Sequence, residues 1–328
     1  MQKANDQILA DDNMLEKVFH LSGHGTTIKR EMLAGLTTFV SMAYILFVNP
    51  SILGAAGMDK GAVFTATALS AILGSALMAF LANYPIAVAP GLGDNAFFTF
   101  SVVLGMGISW QKAMAGVFVA SVLFTILSFL KVREVVINAI PKDLKLAMAA
   151  GIGIFIAFVG LQGGGLVTAS KTLLVEIGSL TVPTTWLTIF GIFVIAILMA
   201  KRVPGSIFIG LVSTALLGLI TGLIKMPASI ISRAPSMKPT FGVGVYHLSS
   251  MMDPQMWAVV LIFLLVAFFD TAGTLIGLAQ QAGIMKDNKM PRIGQALVAD
   301  SVSMLAGSVM GTTPTAAYVE SSAGIAVG

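Results

Sequence analysis

Long apolar stretches, separated by short polar segments, run through almost the whole chain. A helix needs about 20 apolar residues to cross the hydrocarbon core of a bilayer. Such stretches lie at roughly 32–53, 61–82, 85–106, 111–130, 144–161, 185–200, 206–224, 256–280 and 293–310, and another begins at 311. Only 10% of the residues are charged, whereas soluble domains have about 25%. The sequence therefore predicts an all-α polytopic membrane protein.

The distribution of basic residues predicts the orientation of these spans. Most of the 19 Lys and Arg fall in segments on the same side as the N-terminal tail, residues 1–28. Cytoplasmic loops carry such an excess, so we expect a cytoplasmic N-terminus and a location in the plasma membrane. Trp110, Trp186 and Trp257 then lie at outer helix ends, as in an aromatic belt. The partly amphipathic segment 132–141 is interpreted as an interfacial connector.

A long polar loop at 225–254 separates seven predicted spans from three. Transporters built from inverted repeats have equal numbers of spans in the two halves. We therefore assign 29–250 to a first seven-span repeat, with core and gate helices, and 251–328 to the start of a second repeat. On this hypothesis the second repeat continues beyond Gly328, and residues 1–328 alone are expected not to transport.

Two of the spans are interrupted by helix-breaking residues. Residues 84–100 read YPIAVAPGLGDNAFFTF, and residues 311–324 read GTTPTAAYVESSAG. Pro90, Gly91 and Pro314 end any regular helix, so the third and tenth spans each combine an extended segment with a half-helix. We expect the first half-helix to begin near Asp94 or Asn95, with Asp94 as its N-cap rather than a ligand. Paired breaks of this kind indicate a transporter's central site, although packed membrane helices can also simply be kinked.

Acidic side chains within or beside these spans point to the same region: Asp94, Asp270, Asp300 and Glu320. None has an obvious basic partner in its own span. Desolvation disfavours a charged carboxylate, so such acids can take up and release protons near neutral pH. A capped or hydrogen-bonded structural role is the alternative, above all for Asp300. The chain contains no Cys and only three His, all outside the predicted spans, so no metal site is expected.

These groups suit a neutral planar solute such as a nucleobase. A carboxylate can accept two adjacent N–H groups, and free N–H groups at a half-helix start can donate to a ring carbonyl. Phe97, Phe98 or Phe269 could stack on the ring, although Phe is also common on lipid-facing surfaces. The small net charge of +4 gives no indication of a nucleic-acid surface.

Two other functions are compatible with part of the pattern. The string Gly91-Leu92-Gly93-Asp94 matches the G-x-G-D motif of intramembrane aspartyl proteases, in which paired carboxylates activate a water. Those enzymes carry a Tyr-Asp span before this motif and a Pro-Ala-Leu motif after it, and neither is present. A carrier of uracil, xanthine or an anion such as sulfate is the second alternative, but an anion carrier should not place Asp270 and Glu320 at its site.

Taken together, the segments of this chain resemble the nucleobase:cation symporter family, in its AzgA-like branch of hypoxanthine/guanine/adenine permeases. The resemblance runs from about residue 15 to 328. It rests on the segments REMLAGLTTFVSMAYILFVNPSIL, APGLGDNAFF, VREVVINAIPKDLKLAMAAGIGIFIAFVGLQ, FFDTAGTLIGLA and GTTPTAAYVESSAGIAVG. It implies fourteen spans in two inverted seven-span repeats, about ten of them present here, with short β-strands in the third and tenth spans.

The resemblance also implies roles for particular residues. Asp270 and Glu320 take the positions of the acids that bind the base, and Asn95 and Phe97 lie in the third-span site segment. We add Thr274, which follows Asp270 on the same helix, to the substrate site, and Asp300 to Asp270 and Glu320 as proton-coupling residues. Two departures are Asp94, where relatives have an apolar residue, and Ala267, where relatives have a further acid.

The resulting hypothesis is a transporter rather than an enzyme. It takes up a purine nucleobase, is coupled to protons, and needs no other cofactor. Its expected partners are the base, the lipid bilayer and, through the gate helices, a second copy in a homodimer.

Overall fold

A computed structural model describes residues 14–130, 142–170, 174–203, 205–225, 232–285 and 290–328. Within these ranges six helices are long and apolar enough to cross a membrane: Ile28–Ala55, Lys60–Ala82, Trp110–Phe129, Pro183–Ala200, Pro254–Gln281 and Ile293–Met310. The prediction of a multi-pass membrane protein is confirmed. The predicted connector at 132–141 lies outside the described residues.

The helices and strands follow the chain in this order: α1 (Met14–Phe19), α2 (Ile28–Met42), α3 (Ile45–Ala55), α4 (Lys60–Leu77), β1 (Val88–Pro90), α5 (Leu92–Ala96), α6 (Trp110–Phe129), α7 (Lys142–Gly163), β2 (Val167–Ser170), β3 (Leu174–Ile177), α8 (Pro183–Ala200), α9 (Ser206–Ile220), α10 (Val243–Tyr246), α11 (Pro254–Gln281), α12 (Ile293–Met310), β4 (Thr315–Ala317) and α13 (Ser321–Ile325). Two π-helical segments continue α4 and α5, at Met78–Ala82 and Phe97–Gly105. Short 3-10 turns lie at Ser22–His24 and Leu248–Met252.

Local chemistry sets several of these boundaries. The Asp59 carboxylate accepts a hydrogen bond from the Ala62 N–H at 2.7 Å and so starts α4. Helix α12 ends where Gly311 adopts a φ of +94°, a left-handed conformation that glycine reaches without strain. The prediction for α12, residues 293–310, coincides with the observed helix.

Other boundaries differ from the sequence-based expectation. The prediction that Asp94 caps the first half-helix is wrong, because α5 begins at Leu92 and Gly91 is its N-cap. The Gly91 N–H donates to the Pro314 carbonyl at 2.9 Å, so the chain stays extended up to Gly91 and can turn only there. The antiparallel hairpin of β2 and β3 was not predicted, since strands of four residues give too short a periodic signal.

The core surrounds the two short strands β1 and β4. Helix α12 packs against α4 and α6, helix α11 packs against α6, and α4 lies along β1. Phe98, Phe124, Phe263 and Met304 are fully buried in one hydrophobic cluster between these helices. Helices α8 and α9 pack on each other, and α9 also contacts α2. The strands thus lie at the centre of the α4, α6, α11 and α12 group.

Close packing at Gly74 on α4 fixes the position of β1. A Cβ added at Gly74 would lie 2.8 Å from Val88 Cγ1 and would also meet the Ser303 hydroxyl. We expect Gly74→Ala to destabilise the protein by about 1–3 kcal/mol through overpacking. The matched control is Gly35→Ala on α2, where nothing lies within 4 Å and the better helix propensity of Ala adds up to about 1 kcal/mol.

The measurement is the thermal unfolding midpoint of the purified variants in detergent. A lower midpoint for Gly74→Ala beside an equal or higher midpoint for Gly35→Ala is the expected pattern. Equal midpoints for the two variants would contradict the close contact between α4 and β1.

Candidate functional site

The centre of the site is an antiparallel pairing between β1 and β4, which lie more than two hundred residues apart in the sequence. Val88 pairs with Ala317, Ala89 with Ala316, and Pro90 with Thr315. Two further backbone bonds extend the pairing, from Gly91 N to Pro314 O and from Tyr318 N to Ala87 O, each 2.9 Å. All six paired residues are buried. The two segments that the sequence predicted as interrupted spans, 84–100 and 311–324, therefore pair with each other.

Side chains from the surrounding helices satisfy the outer edges of this strand pair. The Val88 N–H donates to Ser75 Oγ on α4 at 3.1 Å. The Thr315 hydroxyl donates to Ser303 Oγ on α12 at 2.9 Å. A buried backbone donor without a partner is costly, so the Ser75 hydroxyl supports the strand pair at the Val88 N–H, whereas Ser303 holds the Thr315 side chain.

A half-helix follows each strand. Helix α5 begins directly after Gly91, and α13 begins at Ser321, shortly after β4. The Ala87 N–H donates to the Ser321 hydroxyl at 3.0 Å, which ties the start of α13 to the residue before β1. The starts of both half-helices consequently lie beside the crossed strands, where N–H groups of a first helical turn have no partner within their own helix.

Asp270 on α11 approaches the strands at Gly91. A Cβ added at Gly91 would lie 3.3 Å from Asp270 Oδ2 and 2.9 Å from Asp94 Oδ2, so both carboxylates converge on the bare face of this glycine. Asp270 is half-buried, whereas Asp94 is fully buried. The structure thus brings a predicted substrate-binding acid to the strand crossing.

Asn95 and Phe97, predicted from the third span, lie on the same half-helix and its continuation. Asn95 is fully buried, and its Oδ1 accepts a hydrogen bond from the Thr313 hydroxyl. Its Nδ2 has no hydrogen-bond partner among the described residues. The half-buried Phe97 ring packs edge-to-face on Phe263 of α11, with centroids 5.1 Å apart. One amide donor therefore remains open beside the site.

Glu320, the predicted tenth-span acid, lies at the end of the segment after β4 and is half-buried. Its Oε1 accepts a hydrogen bond of 2.5 Å from the Tyr44 hydroxyl, in the break between α2 and α3. The hydroxyl of Tyr318 donates to the Pro90 carbonyl, also at 2.5 Å. Two tyrosine hydroxyls thus hold the acid and the strand crossing.

The remaining predicted residues lie on α11 and α12. Asp300 is fully buried on α12, and its Oδ2 accepts a hydrogen bond from Thr271 Oγ1 at 3.1 Å. Thr271 directly follows Asp270, so Asp300 is linked to the site through the α11 backbone. Thr274 lies one turn beyond Asp270 on the same face and is half-buried.

Asn49 on α3 is a residue of this region that the sequence analysis missed. Its fully buried side chain donates to Thr67 Oγ1 at 2.7 Å and to Thr312 Oγ1 at 2.9 Å. It therefore joins α3, α4 and the segment between α12 and β4. An Asn beside Pro50 in an apolar span is a signal that could have identified it, since buried polar groups need partners.

The sequence model of the Permease family matches residues 29–328. The guanine/hypoxanthine permease PbuG of Bacillus subtilis (strain 168) is 53% identical over 323 residues, which cover 96% of this chain and 73% of that protein. The chain belongs to this family of nucleobase permeases. The family assignment made from the sequence is therefore confirmed.

Other relatives of this permease carry similar names. The adenine permease AdeP of Escherichia coli (strain K12) is 43% identical over 316 residues, covering 96% of this chain and 70% of that protein. Among solved structures, the transmembrane domain of a cyanobacterium bicarbonate transporter, BicA, aligns with a TM-score of 0.62 and 16% identity. It covers 92% of this chain and 77% of that domain. At this identity the likeness concerns the fold alone.

The Asn49 hydrogen bonds make a testable contribution to stability. We expect Asn49→Leu to destabilise this permease by about 1–3 kcal/mol, because both threonine hydroxyls lose their buried donor. Ser51→Ala, two residues further along α3 and on its exposed side, is the control. The Ser51 hydroxyl donates to the Phe47 carbonyl of its own helix, so its loss should change stability by no more than about 0.5 kcal/mol. Thermal unfolding of the purified variants checks this, and an Asn49→Leu midpoint equal to that of Ser51→Ala would contradict it.

Proposed function

We propose that the protein is a purine nucleobase permease of the plasma membrane that couples uptake to protons. The observation that carries the proposal is the pair of acids beside the crossed strands, Asp270 at Gly91 and Glu320 after β4. Relatives named as guanine/hypoxanthine and adenine permeases support the substrate class. The protein is a transporter and not an enzyme, so the aspartyl protease alternative is set aside.

Recognition of the base follows from the donors and acceptors around the strand crossing. The Asp270 carboxylate can accept two adjacent N–H groups from the edge of a purine. The open Nδ2 of Asn95 can donate to a ring carbonyl or ring nitrogen, and Glu320 can accept from another edge. Phe97 provides an apolar ring beside the half-helix, and Thr274 adds a hydroxyl one turn from Asp270.

Proton coupling is assigned to Asp270, Glu320 and Asp300. Asp270 and Asp300 are connected through Thr271, whose hydroxyl donates to Asp300. Glu320 receives its hydrogen bond from Tyr44 and has no cation beside it in the described part of the chain. Carboxylates with this environment can exchange protons when a neutral solute enters or leaves the site.

The architecture is proposed to consist of two inverted seven-span repeats, fourteen spans in all, with the crossed strands at the repeat interface. In this scheme α8 and α9 belong to the gate of the first repeat, since they pack on each other and contact the remaining helices through α2. Residues 29–250 are assigned to the first repeat and 251–328 to the second. The N-terminus faces the cytoplasm, and the gate helices provide a surface for a homodimer.

The acids can be tested by uptake of labelled hypoxanthine, guanine, adenine and uracil into cells that express the full-length protein and lack their own purine permeases. Asp270→Ala and Glu320→Ala should each reduce purine uptake by about tenfold or more, because a hydrogen bond to a charged group contributes about 1.5–3 kcal/mol. Uracil should be taken up poorly by the unmodified protein.

The control for these variants is Asp253→Asn, which removes one carboxylate outside the site. Asp253 caps α11 by accepting a hydrogen bond from the Gln255 N–H, and Asn caps helices equally well. Purine uptake by Asp253→Asn should equal that of the unmodified protein. Purine uptake that survives in both alanine variants would show that the site lies elsewhere.

Proton coupling has its own test in the same cells. A protonophore removes the proton gradient, so it should abolish accumulation of labelled guanine above the external concentration while leaving equilibration intact. Accumulation that persists in the presence of the protonophore would rule out coupling to protons and leave the substrate assignment unaffected.

A further inference from the structure

Asp94 is a buried acid that the proposed mechanism does not use. It is 0% exposed, and neither of its carboxylate oxygens has a hydrogen-bond partner among the described residues. It lies in the first turn of α5. The N-cap of this helix is Gly91, and no side chain makes a capping hydrogen bond there. A polar group in this situation needs another physical explanation.

The carboxylate of Asp270 approaches the carboxylate of Asp94 at Gly91. Its Oδ2 and the Oδ2 of Asp94 lie 3.3 Å and 2.9 Å from one point, the position of a Cβ added at Gly91. The two oxygens are therefore separated by no more than the sum of these distances. A side chain at residue 91 would crowd both oxygens, so the glycine leaves room for the two acids to approach each other.

The other groups around Asp94 whose side chains the structure describes supply no positive charge. Asp300 on α12 and Tyr318 lie near Asp94, and neither is basic. Helix α3 and the π-helical segment Phe97–Gly105, which pack on α5, contain no titratable residue. Helix α7 also contacts α5, and the side chains of its Lys142, Asp143 and Lys145 lie outside the described part.

Like charges at this distance oppose each other's ionisation. A carboxylate that is removed from water and receives no hydrogen bond is strongly disfavoured, and a second carboxylate nearby disfavours it further. A neutral carboxyl group avoids both costs and supplies an O–H donor. The proton belongs on Asp94 because Asp270 is half-buried and Asp94 is fully buried.

We propose that Asp94 and Asp270 form one coupled acid pair that holds a proton, and that Asp94, which carries it, is a positioning residue for Asp270. The pair bears one negative charge, located on the half-buried Asp270 carboxylate that faces the site. Asp94 acts through Asp270 and does not contact the base. The role of Asp270 toward a purine rests on the proposed function, but the shared proton does not.

The first test needs no substrate. Infrared spectra of the purified protein near neutral pH report protonated carboxyl groups through their C=O stretching band, to which solvent-exposed, ionised acids do not contribute. Asp94→Asn should remove a component of this band, and Asp253→Asn, the exposed N-cap variant, should leave the band intact. An unchanged band in Asp94→Asn would overturn the proposal.

A second variant keeps the test decisive if Asp94→Asn fails to fold. Asp270→Asn leaves Asp94 in place but removes its partner, so the same band component should change because coupled acids titrate as a unit. A band component identical in Asp270→Asn and in the unmodified protein would overturn the coupling.

The pH profile of guanine binding separates a proton-holding role from a merely structural one. When alkaline pH removes the proton of the pair, guanine binding by the unmodified protein should fall about 5- to 150-fold, the usual range of coupling between two ligands. Asp94→Asn should lack this alkaline fall, since an amide has no proton to lose, and Asp253→Asn should retain it. An alkaline fall of the same size in Asp94→Asn would overturn the proposal. Loss of the infrared band without guanine binding in any form would support the acid pair and refute the proposed substrate.

Discussion

Backbone pairing between β1 and β4 is the interaction on which the rest of the site depends. Each strand lies in a segment that the sequence predicts to be an interrupted membrane span, and such an interruption exposes N–H and C=O groups that lipid cannot satisfy. A single strand would leave these groups without partners. Because they pair in register, with further bonds at Gly91 and Tyr318, each satisfies the other's backbone. Two segments more than two hundred residues apart in sequence are therefore mutually dependent.

This pairing also decides where the chemistry lies. It fixes Gly91 at the point where the chain turns into α5, and the absence of a side chain there lets α11 bring Asp270 close to Asp94. Tyr318 and Glu320 follow β4. The Tyr318 hydroxyl bonds the Pro90 carbonyl, and Glu320 accepts a hydrogen bond from Tyr44. Acids on two different elements are thereby held around one hydrogen-bonded strand pair.

The sequence was sufficient for features that depend on local pattern. Apolar stretches of span length predicted the membrane helices, and the predicted bounds of α12, residues 293–310, coincide with those observed. Pro90, Gly91 and Pro314 predicted two interrupted spans because proline and glycine act on their own backbone. The acids of the site, Asp270 and Glu320, stood out since carboxylates are rare in apolar spans. Their roles toward a substrate remain predictions.

Features that depend on contacts between distant segments could not be predicted. Tyr44 and Glu320 are 276 residues apart, and Asn49 and Thr312 are 263 apart, so no periodicity relates them. The interpretation of Asp94 as an N-cap failed for the same reason. Local propensity favours Asp at a helix start, but the bond from Gly91 to Pro314 moved the start to Leu92 and left Asp94 inside the helix.

The central claim is that a purine base binds between α11 and the crossed strands. The chain contains no Cys, so a single Thr274→Cys change provides a unique label site on the face of α11 that carries Asp270. Leu261→Cys, on the same helix and 57% exposed on its outer surface, is the reference. The most direct measurement is the rate of thiol labelling at each position with and without guanine. The account predicts that guanine slows labelling at residue 274 and leaves residue 261 unaffected. Equal labelling rates at residue 274 with and without guanine, in a variant that still binds guanine, would contradict it.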